Sequence, residues 1–129
     1  MSEKFTVEVI SPSKTILKLE TTEVIIPSYE GEMGILKDHI PLITFLRPGI
    51  LSIKNDDEKK YFIEDGTVEF IDNNLLILTS TAKDISSLDR DKISLLIKEA
   101  ETKFNEENTS DKDKYLLFYK IETLKRISQ

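Results

Sequence analysis

The stretch Glu30–Ile53, EGEMGILKDHIPLITFLRPGILSI, decides how this chain folds. It contains three of the four glycines, two of the four prolines and the single histidine. Gly31 and Gly34 lie three residues apart in a run that otherwise resembles a strand. Glycines at this spacing supply positive φ or close backbone approach where a strand turns or bulges.

The second half of this stretch predicts a tight corner between two strands. Pro48 and Gly49 are the residue types of the central pair of a type II turn, because proline fixes φ and glycine accepts positive φ. Apolar strands are predicted on both sides, near residues 42–46 and 49–53. A polar loop carrying His39 precedes them.

Further short strands are predicted on both sides of this stretch, over residues 4–83. Apolar and polar residues alternate from Phe5 to Val9, the period of a half-buried strand. Residues 72–74, Asp-Asn-Asn, suit a short hairpin turn because both residue types tolerate left-handed geometry. The uninterrupted apolar run Leu75–Leu78 predicts a strand covered on both faces. Eight to ten such strands, spaced by roughly nine residues, predict an antiparallel β-sandwich.

A helical pattern replaces the strand pattern near residue 85. Ser86 and Asp89 form a capping pattern that opens a first helix, and Ser110 and Asp113 repeat it for a second. Two helices joined by a short polar break predict an antiparallel hairpin. The first helix has an apolar stripe of Ile93, Leu96, Ile97, Ala100 and Phe104, and the second has one of Leu117, Ile121 and Leu124.

Composition excludes several classes of protein. The 129 residues include no cysteine and one histidine, which removes thiol catalysis and structural zinc. No apolar run reaches the about eighteen residues of a membrane span, and the start of the chain lacks the apolar core of a signal peptide. The sequence therefore predicts a soluble, non-exported protein.

Charge is unevenly distributed between the two predicted units, a β-sandwich of residues 1–84 and a helical hairpin of residues 85–129. The sandwich carries the entire net charge of −6, whereas the hairpin is neutral. An acidic body argues against nucleic-acid binding. Within the hairpin, residues 112–129 carry five basic groups against two acidic ones, so the second helix is basic and amphipathic. Such a helix docks on an acidic groove, a membrane surface or a partner helix.

Three groups of residues are candidates for chemistry. His39 has no nucleophile motif nearby, which favours a structural or interface role. Glu30 and Glu32 share one side of an extended segment, so they suit acid–base work, a hard cation, a partner contact or plain solvation. Asp89 and Lys92 at a helix start suit weak nucleotide binding or an ordinary capped helix. No phosphate-binding loop is present, so nucleotide hydrolysis is not expected.

The first stretch also carries a family pattern, G-x-x-G-x-L-x-x-H-x-P-L-x-x-x-L-x-P-G. It resembles the signature of the epsilon subunit of bacterial F-type ATP synthases. That family has a β-sandwich followed by a helical hairpin, the layout predicted above, and lies at the foot of the rotating central stalk. The nine matching positions are Gly31, Gly34, Leu36, His39, Pro41, Leu42, Leu46, Pro48 and Gly49.

The resemblance implies specific partners. The acidic turn of Glu30, Gly31 and Glu32 matches the part of the family that faces the polar loops of the c ring. The loop with His39, Pro41 and Leu42 matches the part that lies against the gamma subunit. Complementary charge between an acidic turn and basic loops would fix their register more than their affinity.

The resemblance also implies a role for the hairpin, which in that family folds down on the sandwich or extends along gamma and blocks ATP hydrolysis. Lys120, Lys125 and Arg126 match the basic residues that then approach the catalytic beta subunits. Some members bind regulatory ATP through [IL]-D-x-x-R-A. Here Asp89 matches, but Lys92 replaces the arginine, losing its bidentate fork, and isoleucine replaces the alanine. No other cofactor is implied.

The sequence thus predicts a non-catalytic rotor subunit of a proton-translocating ATP synthase. Such a subunit couples the c ring to gamma and lies on the cytoplasmic face of the bacterial inner membrane without inserting into it. The alternative is a free-standing β-sandwich adaptor whose helical hairpin binds another protein. A third hypothesis, an enzyme using Glu30 and Glu32, ranks well below both.

Overall fold

The computed structural model describes residues 3–128, which form ten β-strands followed by two α-helices. This confirms the predicted β-sandwich and helical hairpin. The outermost residues of the two predicted units, 1, 2 and 129, lie outside the described residues. The strands are β1 (Phe5–Ser11), β2 (Lys14–Thr21), β3 (Glu23–Ser28), β4 (Gly31–Leu36), β5 (Leu42–Leu46), β6 (Gly49–Lys54), β7 (Glu58–Ile63), β8 (Gly66–Ile71), β9 (Asn74–Leu78) and β10 (Ala82–Asp84). A 3₁₀ turn (Ile85–Ser87) leads to α1 (Arg90–Phe104) and α2 (Asp111–Ile127).

The strands form two layers that are nearly separate. One has the order β10-β7-β6-β3 with β4 also paired to β3, and the other has the order β5-β8-β9-β1-β2. The single pair Ser28–Leu46 joins the layers between β3 and β5. All neighbouring strands are antiparallel except β1 and β9, which run parallel. The core lies between the layers, where inward residues of alternating strands such as β1 are buried.

Two turns follow the predicted chemistry, whereas the corner before β6 does not. Asp72 and Asn73 have φ of 50° and 62°, as predicted for a short hairpin turn, and Gly31 has φ of 120°. The predicted positive φ at Gly49 is wrong, because its φ lies outside the left-handed region. Glycine is required there for space instead: a Cβ on Gly49 would lie 2.4 Å from Cβ of Pro27.

The prediction that β9 is covered on both faces is also wrong. Leu75 and Ile77 point into the core and are buried. Leu76 is half-buried, and Leu78 points outward with 44% of its surface exposed. One face of this continuous apolar run is therefore turned away from the core.

The two helices pack on each other and on the sandwich. Phe62 of β7 is buried against Leu88, Ile93 and Leu124, away from the main core. We call these four residues the apolar anchor. No helix in the described part of the chain has both the length and the apolarity needed to cross a membrane.

The helix starts differ in part from the predicted capping pattern. Ser110 caps α2 as predicted, since its side chain accepts a hydrogen bond from the Asp113 N–H. The predicted cap at Ser86 is wrong, because Ser86 lies in the 3₁₀ turn and Asp89 caps α1.

Candidate functional site

The acidic turn, residues 29–32, joins β3 to β4 at one end of the sandwich. It is short because Ser28 pairs with Gly31, and the Ser28 hydroxyl donates to the Gly31 carbonyl at 2.6 Å. Glu30 and Glu32 are both exposed, and neither makes an ion pair with another described residue. The described residues contain no group of three or more acidic or histidine side chains that could hold a metal ion. The turn therefore presents two unpaired carboxylates on a constrained backbone.

The His39 loop is held against the sandwich by side-chain contacts. The Asp38 N–H donates to Oδ1 of Asn73 at 2.7 Å, and the Asn73 amide donates back to the Asp38 carboxylate at 2.9 Å. The His39 ring meets the edge of Phe70, with centroids 6.0 Å apart, and its Nδ1 lies 2.7 Å from the Ile40 carbonyl. His39 is thus packed in the loop, and the next residue, Ile40, is 73% exposed.

The other two residues assigned to this loop point in different directions. Pro41 is exposed at the loop end. Leu42 begins β5 and packs partly against the core, so most of its side chain faces inward. The next outward residues of β5 are Ile43 and Phe45.

An exposed apolar surface extends from this loop across β5, β8 and β9. Ile43 and Phe45 are 73% and 61% exposed because they lie on the outer side of β5. Phe45 faces Thr67, which in turn faces Leu78, so the outward residues form rows across three strands. We call this surface the apolar outer face; its members are Ile40, Ile43, Phe45, Ile71 and Leu78, all exposed. The rows also include the exposed Glu69, which lies between Ile43 and Leu76. Large exposed apolar side chains gathered on one face are typical of an interaction surface.

Sequence reasoning missed this face. The alternation of Ile43 and Phe45 with Thr44 identified a strand but not which side of it was covered. The apolar run Leu75–Leu78 contained the needed signal, since an antiparallel sheet with one solvated face normally alternates apolar and polar residues.

The basic residues of α2 lie in two different environments. Lys120 is 21% exposed at its side chain and its Nζ lies 2.7 Å from Oε1 of Glu64, so it is already paired within the chain. Lys125 and Arg126 are exposed and make no ion pair with other described residues. Of these three residues, Lys125 and Arg126 are free to meet a partner while the hairpin is docked.

Asp89 and Lys92 lie together at the start of α1. The Asp89 carboxylate accepts the Lys92 backbone N–H at 2.8 Å, which is the contact of an N-cap. Both side chains are exposed. The structure accounts for Asp89 as a cap and leaves its second carboxylate oxygen and the Lys92 ammonium to solvent.

The sandwich matches a known family. The family described as "ATP synthase, Delta/Epsilon chain, beta-sandwich domain" matches residues 4–85. The match covers more than half of the chain and defines its class, the delta and epsilon chains of ATP synthase.

Relatives that match most of the chain distinguish between the delta and epsilon chains. The chain is 48% identical to the ATP synthase epsilon chain of Pelagibacter ubique (strain HTCC1062), over 99% of this chain and all of the relative. It is 35% identical to the chloroplastic epsilon chain of Guillardia theta, over 81% of this chain and 80% of the relative. The chain therefore belongs to the ATP synthase epsilon-chain family.

Solved structures share the same fold. A chain of the Euglena gracilis mitochondrial ATP synthase (OSCP/F1/c-ring) has a TM-score of 0.82 at 24% identity, covering 95% of this chain and 80% of that one. A chain of the Tetrahymena thermophila mitochondrial ATP synthase (central stalk/c-ring) has a TM-score of 0.70 at 16% identity, covering 99% and 98%.

Family membership confirms the main functional prediction. The chain is an accessory, non-catalytic subunit of ATP synthase and belongs to its rotor stalk. The free-standing adaptor is not favoured. The assignment of single residues to gamma, the c ring, the beta subunits or ATP stays a prediction.

Proposed function

We propose that this chain transmits rotation between the c ring and the gamma subunit by docking gamma on the apolar outer face. The observation that carries this proposal is the exposure of Ile43 and Phe45 beside the His39 loop. Leaving such side chains in water forgoes about 1.5–3 kcal/mol of burial for each. A partner that covers the face recovers this free energy. The His39 loop borders the face and is held in place by its own contacts, so it would limit where the partner can bind.

The acidic turn supplies the second contact, with the polar loops of the c ring. Glu30 lies between the paired residues Ser28 and Gly31, and Glu32 follows in β4, so the backbone under both carboxylates is fixed. Because this backbone is already ordered, binding has only the two side chains to order, which suits register-setting contact with basic loops. With the ring in the membrane, the chain lies at the periphery, on the cytoplasmic face of the bacterial inner membrane.

The hairpin contributes regulation rather than attachment. It is docked on the sandwich in this structure, with Lys125 and Arg126 exposed. On leaving the sandwich it extends along gamma and brings these residues, together with Lys120, to acidic segments of the beta subunits, which restrains ATP hydrolysis. Weak regulatory ATP binding at Asp89 and Lys92 would stabilise the docked hairpin.

Site-specific photo-cross-linking in the assembled synthase tests the two contacts. A photoreactive phenylalanine analogue replaces Phe45, Glu32 or, as a control, Leu95, which is exposed on α1. The proposal predicts cross-links from position 45 to gamma and from position 32 to the c subunit. Cross-links from position 45 to the c subunit, or none to gamma, would contradict it.

A further inference from the structure

Besides the Lys120–Glu64 ion pair, the docked hairpin touches the sandwich at two separate places. The first is the apolar anchor around Phe62, near the C-terminal end of α2. The second is a line of four side chains near the start of α2, which we call the aromatic clasp. Its members are Tyr29, Arg47, Tyr115 and Tyr119.

The clasp is continuous from one turn of the sandwich to another. The rings of Tyr29 and Tyr115 are 5.8 Å apart, and those of Tyr115 and Tyr119 are 4.9 Å apart. The guanidinium carbon of Arg47 lies 3.8 Å from the centre of the Tyr119 ring. Rings at these distances attract each other through their quadrupoles, and a guanidinium over a ring adds a cation–π contact.

Among the described residues, the Arg47 guanidinium has few polar partners besides the Tyr119 ring. Its Nε is buried and has no hydrogen-bond partner among the described residues, while one Nη donates weakly to the Pro48 carbonyl at 3.4 Å. A buried donor without a partner is unfavourable. Because Tyr119 of α2 covers the guanidinium, departure of α2 removes the cation–π contact.

The clasp also reaches the acidic turn. The Tyr115 hydroxyl donates to the backbone carbonyl of Tyr29 at 3.2 Å, directly before Glu30. On the other side of the turn, Glu32 lines a cleft of about 290 Å³ together with Arg47 and Tyr119. Helix α2 therefore contacts the start of the turn at Tyr29 and faces Glu32 across this cleft.

We propose that the aromatic clasp couples docking of the hairpin to the conformation of the acidic turn. A docked α2 holds the turn in one conformation, and an open clasp releases it. Because coupling between two sites is reciprocal, a partner that binds the held turn also stabilises the docked hairpin. The identity of that partner, the c ring, rests on the proposed function; the coupling within the chain does not.

Amide hydrogen exchange on the isolated full chain tests the coupling. The reporter is the Tyr29 N–H, which donates to the Phe45 carbonyl at 3.2 Å. In Tyr119→Ala, we expect exchange at Tyr29 and at the α2 amides to accelerate together by about tenfold, the size of one lost aromatic or cation–π contact. Leu95→Ala, an exposed apolar truncation outside both attachments, should change neither.

Faster exchange in α2 with no change at Tyr29 would overturn the proposal, as would no change at either place. Should Tyr119→Ala fail to fold, Arg47→Lys keeps the charge but removes the planar group that stacks on the ring. Arg47→Lys should accelerate amide exchange both at Tyr29 and in α2, by about threefold. A shift in α2 alone would again contradict the coupling.

A second arm adds the purified c ring as the probe. If the ring binds the held turn, it should slow exchange at residues 115–119 of the unmodified chain and have no such effect in Tyr119→Ala. Ring binding that leaves α2 exchange unchanged in the unmodified chain would overturn the coupling. Absence of any ring binding would instead contradict the proposed function. The exchange rate at Tyr29 in Tyr119→Ala would still test the coupling between hairpin and turn.

Discussion

Two glycines of the sandwich, Gly34 and Gly49, differ in how much space a Cβ atom would have at their positions. A Cβ on Gly49 would lie 2.4 Å from Cβ and 3.0 Å from Cγ of Pro27, a rigid ring in the neighbouring strand β3. A Cβ on Gly34 would meet only the end of the Glu23 side chain, at 3.4 Å. The two glycines therefore have different physical roles, although both belong to the same sequence pattern.

Gly49→Ala should lower the free energy of unfolding by about 1–3 kcal/mol, because β3 and β6 must move apart. Gly34→Ala is the matched control and should change it by no more than about 0.5 kcal/mol, since the Glu23 side chain can move aside. Urea denaturation followed by circular dichroism measures both. Equal effects of the two substitutions would show that close approach at Gly49 is not limiting.

Asp84 gives the link between sandwich and hairpin a pH dependence. The pKa of its carboxyl lies below the usual value, first because the Ser86 hydroxyl donates to it at 2.7 Å and then because the Ser86 N–H does at 2.9 Å. A pKa lowered by folding stabilises the protein fully above the unfolded-state value of about 3.9 and loses this effect as the pH falls through the folded value.

Asp84→Asn should therefore be less stable than the unmodified chain at neutral pH and equally stable in acid, where both side chains are uncharged. Urea denaturation at a series of pH values from neutrality downward tests this. A stability difference that stays constant across the series would rule out the carboxylate charge as its source.

At the scale of elements, the hairpin depends on the sandwich for its position. Two helices of 15 and 17 residues are marginal on their own in water. They gain stability by packing on each other and on Phe62, the one fully buried sandwich side chain of the apolar anchor. Loss of this side chain should therefore affect the helices first.

Phe62→Ala should weaken attachment of the hairpin by about 3–5 kcal/mol, the usual loss for a buried phenylalanine. Protease sites in α1 and α2 should become accessible, while amide exchange in core strands such as β1 stays slow. Leu95→Ala serves as the exposed control and should leave the protease sites protected. Core exchange that accelerates in parallel with the helices would mean that Phe62 supports the sandwich itself.

The elements were predictable because their signals are local. Alternation of apolar and polar residues predicted the strands, and the apolar stripes predicted the helices. Asp72 and Asn73 predicted the turn in which they lie. Gly49 was misread because its constraint comes from Pro27, which is distant in sequence, and local turn chemistry contains no information on that contact. Phe62 was read only as part of a strand, since nothing local shows that a second layer covers it.

The candidate site was predictable to a similar extent. The exposed Glu30 and Glu32 followed from the turn, and the role of His39 in a fixed loop was one of the expected alternatives. The apolar outer face was missed because the direction of Phe45 depends on which strands flank β5. Pairing of Lys120 with Glu64 could not be foreseen, since it requires the docking geometry of the hairpin.

At the scale of the whole molecule, the docked hairpin competes with any partner for Lys120. Its Nζ is bound to Glu64 at 2.7 Å, so contact between Lys120 and a beta subunit requires this ion pair to break. Removing the charge of Glu64 therefore favours release of the hairpin. The pair is partly exposed, so its contribution is modest, about 1 kcal/mol or less.

Glu64→Gln should slow ATP hydrolysis by the reconstituted synthase up to about fivefold, because the released hairpin acts as a brake more of the time. Glu58→Gln is a matched control, since among the described residues Glu58 pairs with Lys54 and Lys60 of the sandwich, at 3.8 and 3.5 Å. Steady-state hydrolysis with each variant measures the effect. An unchanged or faster rate with Glu64→Gln would contradict the brake.

The central claim is that the apolar outer face attaches this chain to the rotor, and an affinity measurement tests it most directly. The full chain is titrated into an ATP synthase catalytic sector that contains gamma and has been stripped of epsilon. Phe45→Asp and Leu95→Asp are compared, since the two side chains are similarly exposed, at 61% and 56%, and each should accept a charge without unfolding.

We expect Phe45→Asp to weaken binding by about 100-fold or more, because the interface would bury an unpaired charge. Leu95→Asp should weaken it by about threefold or less, as is usual for a residue outside an interface. Equal affinities of the two variants, both close to that of the unmodified chain, would contradict attachment through this face.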